Sequence, residues 1–239
     1  MKTKVEQNIS CLNCASRKDS LFGDLEECDL EILSQNKSCV TYKKGQTLFY
    51  EGTRPLGLYC INAGKVKVYK SSAQGKEQII HLCKAGDFLG YRALLGEEFY
   101  VASATVLEEA KVCFIPKEDF ITILNSNPAF FSRMIKAVCK EMGVMEDKIA
   151  DLAQKSVRER LATTLLMLKE SYGMEGEDDG HLIDIALSRE DIANIVGTAT
   201  ETVIRLLSDF KKDGLINFEK KKIRVLEAKQ LARVADFYG

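Results

Sequence analysis

Histidine is scarce in this chain, which has only two histidines in 239 residues. A metal-dependent oxygenase of the barrel type usually holds its metal with two or more histidines and a carboxylate. Only His81 lies in the stretch that could form such a barrel, and His181 has no assignable role. A barrel metal enzyme is therefore the disfavoured alternative. Since the sequence contains no other catalytic constellation, we expect a protein that is not an enzyme.

Long apolar runs and an excess of charge of either sign are also missing. No stretch approaches the roughly 20 apolar residues of a membrane-spanning helix, and the N-terminal MKTKVEQNIS lacks the apolar segment of a signal peptide. We therefore expect a cytoplasmic protein that does not enter a membrane. The 34 basic and 35 acidic residues give a net charge of −1, so any binding of nucleic acid has to depend on a local basic patch.

Residues 188–212 predict two short helices joined by a tight turn. Ser188 has an acidic residue three positions later, the spacing of a capping box, and Gly197 suits the left-handed conformation that ends a helix. Thr198 and Glu201 repeat the capping spacing, so the second helix is expected to begin there. Apolar residues at helical spacing give that helix a buried stripe, formed by Val203, Leu206, Leu207 and Phe210. This pattern is typical of a helix-turn-helix.

The outward face of the second helix holds the candidate base-reading residues, namely Thr200, Glu201, Ile204 and Arg205. A helix-turn-helix presents such positions to base edges in the major groove of DNA. Glutamate can accept a hydrogen bond from cytosine N4, and arginine can donate two hydrogen bonds to guanine. The alternative is that Glu201 and Arg205 form only a surface ion pair, worth a few tenths of a kcal/mol.

A lysine-tipped hairpin is predicted after the second helix, with strands at 215–218 and 223–226. Such a hairpin can act as a wing that lies along DNA phosphates. Between residues 205 and 224 there are seven basic and three acidic residues. The candidate phosphate-binding residues are Lys211, Lys220, Lys221 and Lys222. A protein-binding winged helix on a structural adaptor is a further alternative, which salt-dependent DNA binding would distinguish.

Short alternating runs punctuated by glycine fill residues 42–116. Val66 and Val68 alternate with lysines, which is typical of a half-exposed strand. Many short strands at this spacing predict an antiparallel barrel or jelly roll. An amphipathic helix is expected before it, at 24–36. The predicted fold class is therefore α+β.

A long helix is predicted from Pro128, with Asn127 as its N-cap. Apolar residues follow at alternating spacings of four and three, namely Phe131, Ile135, Val138, Met142, Met145, Ile149 and Leu152. This heptad stripe is typical of a two-stranded coiled coil and predicts a homodimer. The alternative is that the stripe packs on the chain's own barrel.

The remaining segments complete the predicted domain organisation. A helix is expected at 156–172, an acidic loop at 173–180, a strand at 182–186 and a closing helix at 228–238. The expected domains are an N-terminal arm, a sensor barrel, a dimerisation helix and a winged helix-turn-helix, at 1–20, 21–126, 127–153 and 154–239.

The chain has eight cysteines. A disulfide framework is not expected in a cytosolic protein, so metal binding or redox chemistry is the more plausible role for some of them. Cys11 and Cys14 form a CxxC pair, which can ligate a metal or cluster or act as a redox pair. Most of the other cysteines are expected to be small buried apolar residues, including Cys28 and Cys39.

Taken in order, the barrel, long helix and winged helix resemble the Crp/Fnr family of bacterial transcription regulators. The resemblance covers nearly the whole chain and is strongest in KKGQTLFYEG at 43–52, AGDFLG at 85–90 and the segment 188–216. It implies a cyclic-nucleotide-binding-like barrel and a homodimer that binds palindromic double-stranded DNA, with RNA polymerase as a candidate partner. Glu201 and Arg205 match the family's base-reading residues. Thr200 stands where the cyclic-AMP branch has arginine, so the recognised half-site can differ.

The cyclic-AMP branch of the family binds phosphate with an Arg-Ser or Arg-Thr pair. Here Val101-Ala102 occupies that position, Tyr91 replaces the glutamate after the FxG glycine, and Arg92 is out of register. An anionic phosphate buried without a cation would carry a large desolvation cost. Cyclic AMP is therefore not expected as a ligand.

The Fnr-like branch holds a [4Fe–4S] cluster with three N-terminal cysteines and one in the barrel. Cys11, Cys14 and Cys113 match three of these positions, whereas Ser20 stands at the third N-terminal position. Cys28, Asp19 or another group could replace that ligand, and Cys60 and Cys139 are not expected to take part. The first alternative is a different metal held by thiolates. The second is that no metal binds, that Cys11 and Cys14 belong to a mobile arm and that Cys113 packs in its strand; the regulator would then respond to another small molecule or be constitutive.

Overall fold

The computed structural model describes residues 10–18, 20–175 and 181–236. The chain divides into two compact units, Met1–Glu141 and Met142–Gly239. Within the described ranges, none of the helices combines the length and apolar character that crossing a membrane requires.

Two short 3-10 helices, Cys11–Asn13 and Ala15–Arg17, open the described part of the first unit. The elements that follow are α1 (Glu27–Asn36), β1 (Ser38–Tyr42), β2 (Thr47–Phe49), β3 (Gly57–Ala63), β4 (Val66–Ser71), β5 (Glu77–Cys83), β6 (Phe88–Leu89), α2 (Tyr91–Leu95), β7 (Ser103–Val106), β8 (Ala110–Pro116), α3 (Lys117–Ser126) and α4 (Pro128–Gln154).

The strands of the first unit form two antiparallel sheets, with the orders β1-β8-β3-β6 and β2-β7-β4-β5. Side chains from both sheets, such as Ile61 and Val112 on one and Val66 and Ala104 on the other, share one apolar core. The predicted jelly-roll architecture is therefore confirmed. Gly64 permits the close approach of two loops, because a Cβ there would lie 2.4 Å from the Glu109 carbonyl oxygen at a φ of +87°.

A second apolar cluster lies on the outer side of the sheet that contains β3 and β8. It joins α1, α3 and the first turns of α4, with Leu30, Phe120 and Phe130 completely buried. The start of α4 is also confirmed, since the Asn127 Oδ1 atom accepts a hydrogen bond from the Phe130 backbone N–H at 2.9 Å.

The second unit begins with the part of α4 from Met142 onward. It then contains α5 (Val157–Tyr172), β9 (Gly173–Glu175), β10 (His181–Ile183), α6 (Arg189–Val196), α7 (Thr200–Lys212), β11 (Ile216–Glu219), β12 (Lys222–Val225) and α8 (Ala228–Val234). Its strands form one antiparallel sheet in the order β11-β12-β10-β9. Helix α5 begins with a capping box between Ser156 and Glu159. The predicted helix-turn-helix and hairpin are therefore present.

Two local predictions in this unit are wrong. Residues 173–175 form strand β9, which pairs with β10, and are not part of an acidic loop; the rest of that predicted loop, 176–180, lies outside the described residues. Thr198 does not cap α7, whose N-cap is Ala199 without a side-chain bond. The Thr198 backbone N–H instead bonds to the Ala193 carbonyl oxygen and helps to close α6.

Candidate nucleic-acid interface and cysteine pocket

Local interactions fix both ends of α6. The Ser188 Oγ atom accepts from the Asp191 backbone N–H at 2.9 Å, and the Asp191 carboxylate accepts from the Ser188 backbone N–H at 3.0 Å. Gly197 then adopts a left-handed conformation with φ 75° and ends α6. The capping box thus marks the start of α6, and Gly197 marks the point where the chain turns toward α7.

The buried stripe of α7 is the predicted one, formed by Val203, Leu206, Leu207 and Phe210. The Arg158 guanidinium covers the Phe210 ring at 4.7 Å from the ring centre. This packing turns the opposite face of α7 outward, where Glu201, Ile204 and Arg205 are exposed and Thr200 is half-buried. A carboxylate acceptor and a guanidinium donor thus share the exposed face of the first two turns.

The hairpin of β11 and β12 carries the predicted lysines at its tip. Glu219 pairs with Lys222 in the ladder, which leaves Lys220 and Lys221 exposed in a two-residue turn. Lys222 is half-buried and forms an ion pair with Asp184, so its ammonium group already has an anionic partner. Of these lysines, Lys220 and Lys221 therefore present their charge most directly to a ligand.

An aromatic side chain joins the hairpin to both helices. The Phe218 ring lies 4.5 Å from the Arg189 guanidinium and 5.5 Å from the Lys211 ammonium group. Such cation–π contacts hold the cations against the hairpin. Arg189 is a basic residue of this surface that the sequence did not predict, because nothing in the pattern relates the start of α6 to Phe218.

The heptad stripe of α4 lies mostly on the surface of the described chain. Phe131, Ile135, Met142, Ile149 and Leu152 are exposed, with Ile149 at 67%, whereas Val138 and Met145 are half-buried. The first turns of the helix pack within the first unit through Phe130 and Met134, which are not part of the stripe. Most of the stripe is therefore not buried by packing within the chain. Such internal packing was the alternative interpretation of the sequence.

A pocket beside the 3-10 helices brings together the predicted cluster ligands. Its lining includes Cys11, Cys14 and Cys113, together with Ser20, which occupies the position of the missing N-terminal cysteine. It also includes Cys60, which the sequence did not predict. Cys28, proposed from the sequence as a substitute, is exposed at the start of α1, and Asp19 lies outside the described residues.

Polar side chains hold two of these sulfur atoms in place. The buried Lys37 ammonium group donates to the Cys11 Sγ atom at 3.1 Å. The Asn62 side-chain amide donates to the Cys14 Sγ atom, also at 3.1 Å. These two hydrogen bonds fix the positions of the Cys11 and Cys14 sulfur atoms at the pocket.

Cys113 forms a disulfide with Cys39, a bond that the sequence did not predict. The register explains it, because the two residues lie directly opposite each other on β1 and β8.

Burial raises the pKa of Cys60 to about 12, and the neighbouring Cys14 and Cys11 contribute to that rise. Within the described ranges, no three His, Cys, Asp or Glu side chains already stand in an arrangement that could hold a metal ion.

The barrel positions relevant to a cyclic nucleotide are mainly apolar. Ala102 and Tyr91 are buried, Val101 is exposed, and the Arg92 side chain is exposed on α2. The rings of Phe49 and Tyr100 stack within the core with their centres 4.0 Å apart. These side chains offer a buried phosphate no cation.

Two families of known domains match the chain. The first, described as "Cyclic nucleotide-binding domain", matches residues 39–127, and the second, described as "Crp-like helix-turn-helix domain", matches residues 159–234. The chain is 31% identical over 230 residues to the Fumarate and nitrate reduction regulatory protein of Salmonella typhimurium, covering 95% of this chain and 90% of that protein. The protein of the same name from Vibrio cholerae is 30% identical over 230 residues, with the same coverage.

Solved structures show the same fold at lower sequence identity. A mutant of CooA from Carboxydothermus hydrogenoformans matches with a TM-score of 0.73 and 22% identity, covering 98% of both chains. FixK2 from Bradyrhizobium japonicum matches with a TM-score of 0.73 and 21% identity, covering 83% of this chain and 96% of that one.

Proposed function

Because the chain belongs to the Crp/Fnr family of DNA-binding transcription regulators, we propose that it binds a two-fold symmetric DNA site as a homodimer. The chain is a regulator and not an enzyme. The observation that carries the proposal is the outward face of α7, with Glu201 and Arg205 exposed beside a lysine-tipped hairpin.

The proposed domains are those expected from the sequence, 1–20, 21–126, 127–153 and 154–239. The proposed setting is the cytoplasm, with RNA polymerase as a further partner.

Base reading is assigned to the first two turns of α7. In the major groove, the Arg205 guanidinium would donate two hydrogen bonds to guanine O6 and N7, and Glu201 would accept one from cytosine N4. Ile204 supplies an apolar contact between them, and Thr200 supplies a hydroxyl group. Because Thr200 is not an arginine, it cannot make a two-bond contact with a second guanine.

Phosphate binding is assigned to Lys211, Lys220, Lys221 and Lys222. Lys220 and Lys221 are exposed at the hairpin tip, and Lys211 lies against Phe218 at its base. Lys222 would first have to leave Asp184 or share its charge with it. Phosphate contacts position the protein on DNA and add affinity without reading sequence.

Dimer formation is assigned to the stripe on α4. An exposed heptad stripe is complementary to a second copy of itself, because each apolar knob fits between four residues of the facing helix. Association of two such helices would remove Met142 and Ile149 from water, which the single chain leaves exposed. A dimer of this kind presents two α7 helices to two half-sites.

Regulation is assigned to the cysteine pocket, which fits a [4Fe–4S] cluster by its donors. Iron–sulfur clusters are held by cysteine thiolates, and the pocket offers the thiols of Cys11, Cys14 and, once its disulfide is reduced, Cys113. A bound cluster would supply chemistry that is sensitive to oxygen and redox state. Cys11 and Cys14 would tie the N-terminal segment to β8, while Lys37 would offset part of the negative charge of the thiolates.

Arg205→Ala is expected to weaken binding to the preferred DNA site by about 1–3 kcal/mol, because it removes one two-bond base contact per half-site. Preference should relax at one base pair in each half-site, while binding to random DNA changes little. Binding-site selection followed by competition titration measures both effects. An unchanged sequence preference would show that Arg205 does not enter the groove.

Lys221→Ala is expected to weaken binding to all DNA sequences alike. It should lower the slope of log affinity against log salt by about 1 for each phosphate group that the protein no longer binds. Lys76→Ala is the matched control, because Lys76 is an exposed lysine beside the tip of the β4–β5 hairpin in the other unit. Fluorescence titrations at several salt concentrations test the pair, and equal slopes for both variants and the unmodified protein would contradict the assignment.

A further inference from the structure

We infer that Cys60 is the fourth ligand of the cysteine pocket and replaces the N-terminal cysteine that this chain lacks. The thiolate set would then be Cys11, Cys14, Cys60 and Cys113. This inference rests on the proposed cluster and assigns its missing ligand. It differs from the sequence-based expectation, in which Cys60 takes no part.

The register of the outer sheet places Cys60 directly beside Cys113. The two residues are opposite partners on β3 and β8, and side chains at directly opposite positions lie on the same face of a sheet with Cβ atoms about 4.5–5.5 Å apart. That face is the outer one, since Cys60 packs against the cluster containing Leu58 and Ile115, whereas the adjacent Ile61 belongs to the inner core. Cys60 and Cys113 are therefore directed to the same side of the sheet.

The N-terminal segment crosses this side of the sheet and brings its own cysteines to Cys60. Asn62 follows two residues after Cys60, at the irregularity of the ladder between Ile61 and Ala63, and lines the same pocket. Its side-chain amide donates to the Cys14 Sγ atom at 3.1 Å. The Asn62 carbonyl oxygen also accepts a hydrogen bond from the Ser16 hydroxyl. Cys14 is thus attached to β3 next to Cys60, and Cys11 lines the same pocket.

The other candidates for the fourth position fit less well. The Ser20 hydroxyl donates to the Arg17 carbonyl oxygen at 2.7 Å and accepts from the Phe22 backbone N–H at 3.2 Å, which commits it to a local turn. A serine hydroxyl also stays protonated where a thiol can become a ligand. Cys28 is exposed on α1 and does not line the pocket.

The positive charge of Lys37 in the pocket is compatible with four negatively charged thiolate ligands. Lys37 is 5% exposed, and its ammonium group contacts the Cys11 sulfur. An ammonium group attracts the negative charge of thiolates that are bound to a metal. A cluster with four thiolate ligands would place negative charge at the point where this cation lies.

Anaerobic reconstitution with ferrous iron and sulfide tests the inference. The protein is first treated with dithiothreitol, which opens the Cys39–Cys113 disulfide, and bound iron, acid-labile sulfide and the visible spectrum are then measured per protomer. Cys60→Ala is expected to lose most of the iron and sulfide that the unmodified protein binds, as is Cys11→Ser. Cys83→Ala is the matched control, because Cys83 is a buried cysteine of the same domain that packs in the inner core.

A second variant separates a lost ligand from a damaged fold. Ser20→Cys combined with Cys60→Ala is expected to restore iron, sulfide and colour, since residue 20 lines the same pocket. Loss in Cys60→Ala without restoration in the double variant would assign Cys60 a packing role and overturn the inference. Unchanged iron in Cys60→Ala, with loss in Cys11→Ser, would overturn it and leave the proposed cluster standing. If the unmodified protein binds neither iron nor sulfide, the proposed cluster and this inference both fail.

Discussion

Replacing Ile149 by aspartate is expected to convert the proposed dimer to a monomer at low micromolar concentration. Ile149 is 67% exposed in the single chain, so the substitution leaves the packing of each protomer intact. In a coiled coil along the α4 stripe, however, two aspartates would meet at the seam, and removing each carboxylate from water costs several kcal/mol. A cost of about 4 kcal/mol corresponds to a roughly thousandfold weaker dimer.

Light scattering and sedimentation measure this change, with Lys140→Asp as the matched control. Lys140 is exposed nine residues before Ile149, which places it two and a half turns away, on the opposite face of α4. The control changes the charge more than Ile149→Asp does, yet it should leave the dimer intact. Dissociation of both variants, or of neither, would mean that the stripe is not the dimer seam.

The winged helix could be predicted closely because its signals are local. The spacing of Ser188 and Gly197 and the apolar stripe of α7 each depend on residues within a few turns of one another, and the structure reproduces them. The start of α7 was misplaced because the capping spacing of Thr198 is not used, and Ala199 is the N-cap instead. Thr198 has the capping spacing, but its backbone N–H bonds to the end of α6. The spacing of side chains in the sequence does not predict this backbone hydrogen bond.

The cysteine pocket could be predicted only in part, because its members come from distant parts of the chain. The CxxC spacing identifies Cys11 and Cys14 in the sequence, and the family resemblance identifies Cys113. Cys39 and Cys60 are found only when the register of β1, β8 and β3 is known. Register depends on how strands pair across the sheet, so an isolated cysteine in an apolar strand cannot be told from a packing residue.

Variants of Cys39 and Cys113 distinguish the loss of a cluster ligand from the loss of the disulfide. Cys39→Ser and Cys113→Ser both remove the disulfide, and they do so at directly opposite positions of the same ladder. Only the second removes a proposed ligand. We therefore expect Cys39→Ser to bind iron and sulfide as the unmodified protein does, and Cys113→Ser to lose most of both, because one of four thiolates is missing.

A cluster that uses the Cys113 thiolate should also protect it from oxidation. Oxidised glutathione takes two electrons from Cys39 and Cys113, which lose two protons and join, while two molecules of reduced glutathione leave. Cluster-free protein is expected to form this disulfide under anaerobic treatment, and reconstituted protein is expected to resist it. Alkylation of free thiols followed by mass spectrometry of the crosslinked peptides measures the difference. Equal oxidation of both forms, or equal iron in the two serine variants, would show that Cys113 does not ligate the cluster.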